Sequence, residues 1–184
     1  MEDLSLHLLD IIENSIEAQA RRIDVRIDED PDRDLLVLEI RDDGKGMDEH
    51  TLQNATDPFF TTRRTRRVGL GLSMLSESAK ATGEKMTIAS SPGEGTRVKA
   101  TFRLSHIDMK PLGDVPQTLL ILIAGHPEIE LRYEHIIAQQ AFFLDTKEIR
   151  KEIGDLSIGS PQMLRRIDKY IRDSLNKLTK NRRG

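Results

Sequence analysis

The stretch ENSIEAQARRIDV, residues 13–25, changes its periodicity partway along. Upstream of and through its start, Leu4, Leu8, Ile11, Ile12, Ile16 and Ala20 recur at steps of three and four, the spacing of one helix face, and Asp3 stands where it can cap the first turn. At its end, RIDVRI (22–27) alternates charged and apolar residues, the period of a half-buried strand. A helix over residues 4–20 therefore runs directly into a strand. Glu13 and Asn14 sit on that otherwise apolar helix, where a Leu would pack better, so the amide of Asn14 needs a reason to be there.

Working outward, LLVLEIRD (35–42) reads as a second strand, joined to the first by the polar turn EDPDRD. DDGKGMD follows, then a short helix near 48–56, a polar arginine-rich segment, and a helix from about Ser73 to Ala81. KMTIASS (85–91) and TRVKATFRL (96–104) read as strands around the turn PGEG. The expected fold is α+β: a two-layer α/β sandwich with a mostly antiparallel sheet under one helical layer. After Leu104 the pattern restarts. Residues 105–117 read as a Pro- and Gly-containing connector, and 118–184 as a small extension with strands at TLLILIA, IELRYEH and AFFLD and an amphipathic helix over 161–178. The core domain is thus expected over residues 1–104.

Composition narrows the class. The 184 residues carry 28 Lys and Arg against 31 Asp and Glu, a balanced surface that does not point to nucleic acid. With no Cys, disulfides and thiolate metal sites are excluded, which fits a reducing cytoplasm. Glu2 and Asp3 after Met1 do not make a signal peptide, and the apolar run LLILIA (119–124) is far short of the ~20 residues that span a bilayer. A cytoplasmic location without membrane contact is expected.

Three constellations carry chemistry. Asp10 and Asn14 are four residues apart and share a helix face, with His7 on the same stripe. A carboxylate and an amide oxygen on a rigid helix suit Mg²⁺ that keeps waters and takes phosphate oxygens; the same stripe also fits an ordinary solvated face. Asp42, at a strand end before Gly44 and Gly46, can accept a hydrogen bond from an exocyclic amine, while the glycines let backbone approach a planar ligand. Gly69 and Gly71 lead into a helix whose first N–H groups form an anion site, just after Arg63, Arg64, Arg66 and Arg67. Neither GxxxxGK[ST] nor GxGxxG occurs.

In order, ENSIEA, DDGKGM, DPFFTTR with VGLGLSML, and PGEGTRV resemble the N box, the two glycine boxes and the closing Gly-Thr motif of the Bergerat-fold (GHKL) ATPases. The resemblance covers about residues 1–104. It implies ATP and Mg²⁺ as ligands, with Asn14 on the metal, Asp42 on the adenine amine, Gly44 and Gly46 close to the base and Met47 on its face. It further implies a lid over the phosphates built from Thr61, Thr62, Arg63, Arg64 and Arg67, hinged near Gly69, Leu70, Gly71 and Leu72, and a supporting role for Thr96 at the adenine. The N box is more similar to the mismatch-repair and gyrase branch, and the lid to the histidine-kinase branch.

The departures bear on the reaction. The position of the hydrolysing branch's general-base Glu is Asp10, one methylene shorter. Only one helix precedes the first strand, which leaves no two-helix hairpin to carry a phospho-accepting His. The expected activity is therefore phosphoryl transfer in trans to a partner protein held by the C-terminal extension, with Asp10 catalytic. The alternative is an ATP-gated switch or slow ATPase. Homodimerisation stays open.

Overall fold

The computed structural model describes residues 3–57 and 70–181. Helix α1 (Leu4–Glu17) is followed by strands β1 (Arg22–Asp30) and β2 (Leu35–Asp42), helices α2 (Glu49–Asn54) and α3 (Leu70–Ala81), and strands β3 (Met86–Ser91) and β4 (Gly95–Arg103). Then come α4 (Val115–Gly125), β5 (Glu130–Ile137), β6 (Gln140–Asp145), α5 (Thr146–Ile153) and α6 (Pro161–Asn181). Asp3 caps α1 by accepting the Leu6 N–H at 3.2 Å, as its position in the sequence predicts.

All six strands join one sheet in the order β3-β4-β2-β1-β5-β6. Every neighbouring pair is antiparallel except β1 with β5, which run parallel with Arg22 opposite Glu130. The mixed sheet and its helices make the α+β sandwich that the strand pattern predicts. One sheet face is apolar: Ile23, Val25, Ile27, Leu36, Leu38, Ile40, Val98, Ala100, Phe102, Leu131, Tyr133 and Leu144 are all buried there, against α1, α3, α4 and α6. The other face carries charges in alternating sign, with Arg26 3.3 Å from Glu134, Arg97 2.9 Å from Glu39 and Arg132 2.8 Å from Asp145. Period-two patterning accounts for this division without further help.

The run TLLILIA, expected as a strand, is instead the middle of α4. Asp114 caps it by accepting the Gln117 N–H at 3.0 Å, and Pro116 falls in the first turn, where a missing N–H costs nothing. Val115, Thr118, Leu119, Leu122 and Ile123 are buried, a helical spacing, whereas a strand would have buried Ile121, which is 48% exposed. The helix α5 also lies in a stretch without a sequence-based expectation. Among the described residues no helix is long and apolar enough to cross a membrane.

Where β1 meets β5 the inner face holds a polar chain. The Tyr133 hydroxyl is 2.6 Å from His135 Nδ1, and His135 Nε2 is 2.8 Å from Glu29 Oε1. Burial, with Glu29 nearby, pushes the Tyr133 phenol well above its ordinary pKa.

Candidate functional site

The site is built where the C-terminal half of α1, the ends of β2 and β4, and the start of α3 converge. Asp42 closes β2 and is only 7% exposed. Three donors fix its carboxylate: the Ser15 hydroxyl on Oδ2 at 2.7 Å, and the Gly44 and Thr96 N–H groups on Oδ1 at 2.9 and 3.2 Å. Of about four lone-pair positions on a carboxylate, one on Oδ2 is left for a further donor. The carboxylate thus braces α1, β2 and β4 while keeping one acceptor position in reserve.

The chain after Asp42 is held flat against its neighbours. The Lys45 N–H donates to the Ala18 carbonyl at 2.8 Å, and a Cβ on Gly44 would come 2.8 Å from the same oxygen. Gly46 has φ +68°, and a Cβ there would strike the Ser91 carbonyl. Met47 donates its N–H to Ser90 Oγ at 2.9 Å. Ser90 gives its one proton to the Gly95 carbonyl at 2.9 Å, so at the 2.9 Å contact with Thr96 Oγ1 the Thr96 hydroxyl is the donor. Both lone pairs of Ser90 are then used, and those of Thr96 stay available.

Asp10 and Asn14 lie half-buried on one side of α1, and α3 closes directly on Asp10: a Cβ on Gly71 would come 2.9 Å from Asp10 Cβ. That close approach sets the start of α3 beside Asp10, with a Gly71 Cβ 3.6 Å from Asp10 Oδ2. His7, one turn earlier, is buried, and its Nε2 accepts from Lys110 Nζ at 3.2 Å. Lys110 belongs to the connector, which is tied to the start of α1 by the Leu4 N–H on the Pro111 carbonyl at 3.0 Å.

The structure thus brings Asp42, Gly44, Gly46, Met47 and Thr96 together at the ends of β2 and β4, and Asp10 with Gly71 where α3 meets α1, with Asn14 one turn along α1 from Asp10 and Leu72 packed against the core. Thr61, Thr62, Arg63, Arg64, Arg67 and Gly69 lie outside the described residues. Sequence reading missed Ser15 and Ser90. Ser15 was legible in principle, since a polar residue next to Asn14 falls on the buried side of α1, facing the end of β2. Ser90 carried no signal, because a Ser on an edge strand is ordinary.

The oxygen donors at Asn14 and Asp10 are hard and few, a set that fits Mg²⁺ sharing its coordination with phosphate and water. Among the described residues no group of three or more His, Asp or Glu could hold a metal without such help.

Comparison with known proteins bears on the family and the fold. A sensor protein of Shewanella frigidimarina is 38% identical over 103 residues, which are 55% of this chain and 16% of that protein. The sensor histidine kinase YxdK of Bacillus subtilis is 36% identical over 75 residues, 39% of this chain and 23% of that one. The chain therefore spans less than a quarter of either relative. A solved structure, the N-terminal domain of a DNA repair protein, superposes on 86% of this chain and 59% of its own with a TM-score of 0.58 at 14% identity, a likeness of fold. The profile described as "Histidine kinase-, DNA gyrase B-, and HSP90-like ATPase" matches residues 2–106, more than half of the sequence. The chain therefore belongs to that ATPase family, as an ATP-binding domain of the histidine-kinase-like type.

Proposed function

We propose that the chain binds Mg·ATP at these residues and transfers the γ-phosphoryl group to a residue of another protein. The observation that carries the ATP pose is Asp42, whose one spare acceptor position sits beside two glycines that cannot carry side chains. It receives the adenine amine, with the base against Gly44, Gly46 and Met47 and the Thr96 hydroxyl as a second polar contact. The triphosphate then runs along α1 toward its N-terminus, past Asn14 to Asp10, beneath the first N–H groups of α3. Asn14 holds Mg²⁺, which when bound neutralises charge on the phosphates.

Support for the trans reaction comes from the imidazole that shares the α1 stripe with Asp10. The one imidazole on the stripe, His7, is buried and already accepts from Lys110. Asp10 acts on the incoming hydroxyl or imidazole of the partner as a base. A short carboxylate pressed under Gly71 also supports a second reading, in which ATP binding acts as a switch for partner binding and the nucleotide is hydrolysed slowly. The protein is incubated with γ-labelled ATP, with and without extract of its host cell. Label on an extract protein is expected; release as free phosphate marks the slow ATPase, and retention of intact ATP marks the switch.

A further inference from the structure

β6 is the last strand of the sheet. Its turn from β5 is Ala138-Gln139, both at positive φ (47° and 69°), so Ile137 and Gln140 close a two-residue hairpin. Hydrogen-bonded and non-bonded pairs alternate from there. Phe142 and Leu144 direct their amide groups at β5, while those of Ala141 and Phe143 point away from the sheet. Among the described residues no backbone group outside the strands hydrogen-bonds Ala141 or Phe143.

Sheets usually blunt such an edge with Lys, Pro, a bulge or a covering element. β6 reads QAFFLD, its register against β5 is unbroken, and Ala141 and Phe143 are exposed. At the opposite edge, Ser90 of β3 accepts the Met47 N–H at 2.9 Å, a tie to the segment after β2. Apolar surface also wraps around β6. Phe143 is 54% exposed on the open face beside Glu134. On the helical side Tyr170 of α6, 55% exposed, meets Phe142 edge-on with ring centres 5.4 Å apart.

We propose that β6 is a self-association edge, through which two copies pair antiparallel about a two-fold axis at Phe143. In that register Phe143 faces the partner's Phe143, Phe142 faces the partner's Leu144, and Ala141 faces the partner's Asp145. A second copy suits this strand because Phe143 has an apolar neighbour on each side, Phe142 and Leu144, which meet each other across the axis. Its one charge, Asp145, falls opposite a methyl group and is already bonded to Arg132 at 2.8 Å, so no like charges meet. The contact is isologous and closes at the dimer. Five residues of strand and two aromatic rings per copy make a small interface, so the dimer is reversible.

The test is the mass of the full chain by light scattering after size exclusion, over roughly 5 to 500 µM. The expected result is a rise from 20.9 kDa toward twice that mass. Phe143→Lys and Ala141→Pro should each raise the dissociation constant at least about tenfold, whereas Ile107→Lys, at a site 94% exposed, should leave it unchanged. The Ala141 N–H points outward, so Pro there removes no bond within the sheet. As a second reading, Phe143→Cys in this cysteine-free chain should oxidise to a covalent dimer, since hydrogen-bonded partners lie about 5.5 Å apart at Cα, within disulfide range. Ile107→Cys should not. A parent that stays at monomer mass throughout would overturn the proposal and leave the edge to a strand from another protein. So would variants that associate as the parent does, or a Phe143→Cys chain that does not cross-link.

Discussion

Asp42→Asn tests the adenine assignment with little disturbance of the fold. The Asn side chain can keep its oxygen on the Gly44 and Thr96 N–H groups and turn its amide nitrogen to where Oδ2 stood. The Ser15 hydroxyl, which now donates to Oδ2 at 2.7 Å, then becomes an acceptor and gives its proton to the Ile11 carbonyl, already 3.3 Å away. No buried group is left unpaired, so the expected loss of stability is within about 1 kcal/mol. The spare position changes from acceptor to donor. An adenine amine there loses a hydrogen bond to a charged acceptor, about 1.5–3 kcal/mol, or roughly 10- to 150-fold in affinity. A guanine, which presents a carbonyl at the matching position, loses nothing and gains a donor. Isothermal titration of ATP and GTP into parent and variant, with thermal melts alongside, reads both effects. An ATP affinity within about threefold of the parent in a variant that melts normally, or equal losses for ATP and GTP, would refute the assignment.

Other expectations are local. Asn14→Ala should abolish the tightening of ATP binding by Mg²⁺ while leaving metal-free binding near the parent's; a parent-like response to Mg²⁺ in calorimetry with and without chelator would count against Asn14 as the ligand. Gly71→Ala would place a methyl 2.9 Å from Asp10 Cβ, an overpacking cost of about 1–3 kcal/mol, or about 2–4 °C of melting temperature per kcal/mol. An unchanged melt would mean that α3 does not press on α1. Asp114 is exposed, and the limited desolvation it undergoes would raise its pKa, but the Gln117 N–H and the Arg172 guanidinium hold it below the usual value. A depressed carboxylate contributes stability that is present above the unfolded pKa and is lost as pH falls through the folded one. Asp114→Ala should therefore cost about 1 kcal/mol near pH 7 and progressively less as the parent is acidified below about pH 4. A cost that does not shrink in acid would place its origin elsewhere.

Much of this molecule was legible because its patterns are local. The helix-to-strand change in ENSIEAQARRIDV, the β1–β2 alternation and the glycines around Asp42 all appear where their spacing predicts. TLLILIA was misread because a short run of branched apolar residues satisfies either period. What decides it is the Asp114 cap and the two layers, α1 and α6, that α4 packs between. The brace from Ser15 to Asp42 spans 27 positions, so the local sequence shows that Ser15 is buried but not which group it meets. The same holds for the parallel pairing of β1 with β5, which depends on how the chain returns after α4.

That pairing sets a timetable for the chain as it is made. β1 acquires β2 as a neighbour almost at once, but its other side waits for β5, and Arg22 meets Glu130 only 108 positions later. Until that stretch leaves the ribosome, the middle strand of the finished sheet is an open edge beside exposed apolar residues. The slow step of folding is then expected to be closure of this long loop, because its entropy is lost before the pairing repays it. Synthesis past Ile137, rather than past the last nucleotide-site residue, is what ends the nascent chain's exposure to aggregation.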